Sequence, residues 1–65
     1  MTDSAQLLAI AEGFLRTRYY EYAIEFFDKT LNLDAECSKA YEGKALSLYE
    51  LLRIEEAVHF PRIML

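Results

Sequence analysis

Glu56 and His59 stand three residues apart in the stretch Arg53-Ile54-Glu55-Glu56-Ala57-Val58-His59-Phe60-Pro61-Arg62. On a helix that spacing puts a carboxylate and an imidazole on one face. Such a pair supplies part of a di-iron carboxylate site, which also needs a second copy and two further carboxylates. The echo of this stretch, Glu21-Tyr22-Ala23-Ile24-Glu25-Phe26, offers Tyr22 opposite Glu56 and Glu25 opposite His59. The second copy is therefore missing, and the pair reads as a solvated polar face with no metal or cofactor expected. Cys37 with His59 would make a thiol nucleophile and its base, but no third group to orient the base and no oxyanion site accompany them. Cys37 is expected to serve as a small, semi-apolar residue in a connection. Gly-rich phosphate loops, zinc-ligand spacings and Ser-centred elbows are lacking. An enzyme is not expected.

The elements that carry these residues follow from composition and periodicity. Sixty-five residues make at most one small domain, and a chain of that size buries only about 60 % of the surface its unfolded form exposes. The chain is 54 % hydrophobic with five Tyr and four Phe, a globular rather than a disordered composition. Two Gly and one Pro leave little material for tight hairpin turns, which favours helices over strands. A net charge of −4 and a pI near 4.8 argue against a nucleic-acid partner, which needs clustered Lys and Arg. One cysteine makes no internal disulfide. Residues 1–16 hold no basic region followed by an apolar core, and no window approaches about 18 uninterrupted apolar residues. The expectation is a soluble, cytoplasmic protein that does not enter a membrane.

The echo extends along the chain. At a constant offset Ser4 falls on Ser38, Ala11 on Ala45, Glu21 on Glu55, Ala23 on Ala57, Phe26 on Phe60 and Leu31 on Leu65. Leu7 on Tyr41, Phe14 on Leu48, Tyr20 on Ile54 and Ile24 on Val58 keep size or apolarity. The period, 38 − 4 = 34 residues, is that of two short helices and marks stacked repeats. Leu7, Ile10, Ala11 and Phe14 form one helical stripe, Tyr41, Ala45 and Leu48 its second copy, and Ala23, Phe27, Thr30 and Leu31 another. Asp3 with Gln6 makes a capping pair. Helices are predicted over 4–17, 20–32, 38–51 and 54–60, antiparallel in sequence because the connections are short. The fold class is all-α, in two helix-turn-helix units at 4–37 and 38–65, the second incomplete.

This pattern resembles the tetratricopeptide repeat. The period of 34 carries it, together with small Ala11 and Ala45 in the first helix of each unit and Ala23 and Ala57 in the second. Phe14 and Leu48 match the family's large apolar residue, Tyr20 and Ile54 the opening of its second helix, and Phe27 its later aromatic. The resemblance covers 4–60, about one and three-quarter units on that family's period. Leu7 replaces the usual Trp, Ala35 a Pro, Thr30 an Ala, and Arg18 and Leu52 a turn Gly. The family's first helices line a concave groove that holds a peptide or a partner helix. By helical position that groove would present Leu8, Glu12, Leu15 and Arg16 from the first unit, and Lys39, Glu42, Leu46, Tyr49 and Glu50 from the second. The branch that clamps chaperone-tail carboxylates is not matched, because Leu8, Glu12 and Gly43 stand at its basic and amide positions.

Tyr19, Tyr20 and Tyr22 fall on different helical faces, so Tyr20 is expected between units and the other two partly exposed. Pro61 interrupts the fourth helix, because it lacks an N–H and its ring clashes with the carbonyl four residues back. The tail Arg62-Ile63-Met64-Leu65 supplies no polar cap, whereas repeat arrays use about three units and polar ends. Two functions follow as expectations. One is a non-enzymatic adaptor or scaffold binding a protein or peptide in the groove. The other is a self-assembly unit, a homo-oligomer joined through Phe60, Ile63, Met64 and Leu65.

Overall fold

The computed structural model describes residues 3–59, and the side chains of residues 3–56. Those residues form three helices, α1 (Ser4–Arg16), α2 (Tyr20–Leu33) and α3 (Ser38–His59). The protein is all-α, with no strand among the described residues.

α1 starts where its first residues can satisfy their own orphan amides. The Gln6 amide donates to the Asp3 carboxylate at 2.9 Å, and the Asp3 amide donates to the Gln6 side-chain carbonyl at 3.1 Å. This reciprocal capping box fulfils the expectation for Asp3 and Gln6. The helix ends in a Schellman motif. Tyr19 N–H donates to the Phe14 carbonyl at 2.9 Å and Arg18 N–H to the Leu15 carbonyl at 3.1 Å. Arg18 takes the left-handed conformation, φ 69°, that this motif demands. The Phe14 and Tyr19 rings meet edge to face across the turn, 6.3 Å between centroids, and the Thr17 hydroxyl donates to the Gly13 carbonyl. Turn and packing agree, so α2 folds back along α1.

The core is small. Ala11, Ala23, Phe27 and Ala40 are fully buried, with Leu8, Phe14, Leu15, Phe26, Leu31 and Cys37 half-buried around them. Ala11 and Ala23 let α1 and α2 approach closely, and Phe27 fills the space between α2 and α3. A Cβ on Gly43 would overlap the Phe27 ring, so the absence of a side chain there admits the aromatic. The two buried hydroxyls are satisfied within their own helices: Thr30 donates to the Phe26 carbonyl and Ser47 to the Gly43 carbonyl. Lys44 joins α3 to α2 through Asp28 at 2.7 Å. Beyond α2, Glu36 N–H donates to the Asp34 carboxylate and the Tyr41 hydroxyl to the Ala35 carbonyl, which pins the second connection.

The second half departs from the repeat. The helices expected over 38–51 and 54–60 are one continuous α3, with no turn at Leu51 to Arg53. The reason is visible in the first turn. The places of Thr17, Arg18 and Tyr19 are taken by Leu51, Leu52 and Arg53. Leu51 has no hydroxyl for the terminal carbonyls and Arg53 offers no ring to meet Leu48, so nothing at the second site offsets the left-handed cost that Leu52 would share with Arg18. Leu and Arg are good helix formers, so the helix runs on. A second correction follows. Tyr41, Ala45 and Leu48, expected as a core stripe, are exposed, and α3 instead turns Ala40, Gly43 and Ser47 to the interior. With no fourth helix folded back in the described part, nothing there covers the stripe. Phe60 and Pro61 lie outside the described residues, as does the expected effect of the proline.

Candidate functional site

α1 and α3 flank an open cleft of about 310 Å³. Its rims are Glu12 and Leu15 from α1 and Lys39, Glu42 and Leu46 from α3, and its floor is Phe27 and Gly43. These five rim residues sit one helical turn apart on their respective helices, so each helix presents a column of side chains to the cleft. The arrangement offers two leucines for apolar contact, with Glu12, Glu42 and Lys39 at the edges. It can grip an extended or helical segment by burial of apolar surface, at about 25 cal/mol per Å², and orient it by charge.

The remaining expected groove residues lie elsewhere. Leu8 is half-buried against the core, and Arg16 is exposed at the end of α1. Glu50 lines a different hollow, of about 510 Å³, with Arg18, Tyr20, Arg53 and Ile54. Tyr49 is exposed, with the Arg53 guanidinium 5.7 Å above its ring and Arg53 also donating to Glu50 at 3.1 Å. Tyr20 faces Leu51 and Ile54 between α2 and α3, as the spacing suggested. Tyr19 and Tyr22 are exposed but form an aromatic cluster with Phe14 and Phe26, at 5.4 and 5.5 Å from the Phe14 ring for Tyr22 and Phe26. Phe60, Ile63, Met64 and Leu65 lie outside the described residues.

Two residues of the cleft went unread in the sequence, Phe27 and Gly43 as its floor. A lone glycine inside a helical pattern was the available signal, since it marks a close approach.

The candidate chemistry of Cys37 and His59 does not assemble within the chain. Cys37 packs half-buried against the core just before α3, and its carbonyl accepts from the Ala40 amide at 3.1 Å. His59 ends the same 22-residue helix, which at 1.5 Å per residue separates the two by roughly 30 Å. Glu25, the expected counterpart of His59, pairs with Lys29 at 3.3 Å. Among the described residues no group of three or more His, Cys, Asp or Glu could hold a metal ion. No helix among them is long and apolar enough to cross a membrane.

Neither family models nor curated proteins nor solved structures match this chain. The likeness to the tetratricopeptide repeat is carried by its residue pattern alone.

Proposed function

We propose that the chain is a non-enzymatic, protein-binding scaffold module of tetratricopeptide type that takes a peptide or partner helix in the cleft between α1 and α3. The supporting observation is convergence: Glu12, Leu15, Lys39, Glu42 and Leu46, picked out by helical position along two separate helices, line one cleft. In this reading Leu15 and Leu46 bind and the charges set register. A cytoplasmic setting suits a chain with one unpaired cysteine. The test is selection from a displayed random-peptide library. Selected peptides should lose roughly tenfold in affinity with Leu15→Ala or Leu46→Ala, the scale of one buried leucine contact. They should keep their affinity with Glu25→Gln, which lies outside the cleft. A library that yields nothing above the background of a Leu15→Glu/Leu46→Glu chain overturns the reading. The second reading, self-assembly, is favoured by the apolar face that α3 leaves open.

A further inference from the structure

α3 has two apolar faces. One, with Ala40, Gly43, Ser47 and Leu51, turns to the core or to α2. The other carries Tyr41, Ala45, Leu48 and Leu52, of which the three large ones are 53, 42 and 57 % exposed. Their spacing of four, three and four residues keeps them on one line along the helix.

We infer that this second face binds a second copy of the chain, helix against helix and antiparallel. The spacing reads the same in both directions. A twofold axis between Leu46 and Ser47 therefore sets Tyr41 of one copy opposite Leu52 of the other and Ala45 opposite Leu48. Each leucine knob at 48 meets a small residue rather than another large one, the interdigitation that close-packed helix pairs need.

Charge selects the direction. Glu42 and Arg53 lie on the same flank of the face, near its two ends. The antiparallel axis brings Glu42 of one copy beside Arg53 of the other, twice by symmetry, with Arg53 already lying along its own Tyr49 ring. A parallel pair would carry this flank of the two copies to opposite sides of the contact, so Glu42 and Arg53 would not meet and the charge contact would be lost. Antiparallel helices also oppose their dipoles favourably. The apolar face itself holds none of the cleft residues, although Glu42 at its flank also rims the cleft, so Leu48→Glu is the variant that separates this proposal from peptide binding.

The test is sedimentation equilibrium of the full chain over a hundredfold dilution, with far-ultraviolet circular dichroism as the check on folding. The mass should rise from 7.6 kDa towards twice that value. Leu48→Glu, at an exposed position, should hold the chain at monomer mass with unchanged helicity. Glu42→Arg and Arg53→Glu should each weaken association roughly tenfold, since two contacts change from attraction to repulsion at once. The Glu42→Arg/Arg53→Glu double variant should recover most of that loss. A constant mass of 7.6 kDa at every concentration overturns the proposal, as it would if another part of the same chain covered the face. Association that survives Leu48→Glu places the contact on another surface and equally overturns it. Two single variants that weaken association without recovery in the double variant overturn the antiparallel register. Leu48→Glu and Arg53→Glu lie outside the cleft and should leave peptide selection through Leu15 and Leu46 unchanged, whereas Glu42→Arg also alters a cleft rim.

Discussion

Gly13 and Gly43 are the chain's two glycines, both inside helices, and their surroundings give them opposite meanings. Around Gly13 the nearest atom to an added Cβ is Arg16 Nη2 at 3.9 Å, ordinary contact. At Gly43 the same Cβ would overlap the fully buried Phe27 ring. Gly13→Ala should therefore stabilise the fold by about 0.5–1 kcal/mol through lost unfolded-state freedom. Gly43→Ala makes the same gain but overpacks, at about 1–3 kcal/mol. Its net effect should be a loss near 1 kcal/mol, or about 4–8 °C in melting temperature for a domain of this size. Thermal melts of the two variants check the opposite signs; a stabilised Gly43→Ala chain would mean that Phe27 has room to move. Glycine inside a helical pattern was legible in the sequence. Which of the two lay under an aromatic ring was not, because that depends on how α3 is set against α2.

At the scale of elements, the turn after α1 and its failed copy in α3 make a controlled comparison. Arg18 holds the left-handed position of the Schellman turn, where an L-residue pays roughly 1–2 kcal/mol. Arg18→Gly should stabilise by up to about 1 kcal/mol, since glycine adopts that φ freely yet costs more to order. The same substitution at Leu52, in the same repeat register, should destabilise by up to about 1 kcal/mol, because there it sits in a helix interior. Urea titration of both variants checks this. Equal signs would show that the chain turns at Leu52 as it does at Arg18. The first hairpin was readable in advance because capping pair, turn, small residues and aromatic lock all pointed the same way. The second was misread because periodicity repeats the stripes but not the turn chemistry.

For the whole molecule, the consequence is an elongated shape. A compact chain of this length would have a radius of gyration of about 11 Å, whereas the Cα radius is 13.7 Å with a longest extent of 50 Å. α3, at 22 residues, outruns its 14-residue neighbour α2 and projects beyond it. Small-angle scattering from dilute monomer should give a radius nearer 14 than 11 Å. A value close to 11 Å would mean that the second hairpin closes in solution. Three ion pairs among the described residues are all largely exposed, so each contributes about 0–1 kcal/mol at most. Packing around Phe27 is the larger contribution to stability.

The sequence by itself determined the all-α class, the starts of the first two helices and their ends to within one residue, and the small-against-large packing of α1 on α2. Those features depend on neighbours a few residues away or on one helix face, which a period of 34 displays directly. Only the tertiary structure decided that α3 runs straight through Leu51 to Arg53, that Tyr41, Ala45 and Leu48 face outwards, and that Phe27 and Gly43 floor the cleft. A helix buries whichever face its partner reaches. With α2 on one side of α3 and no folded-back helix among the described residues on the other, the side bearing Ala40, Gly43 and Ser47 was the one the core could close upon.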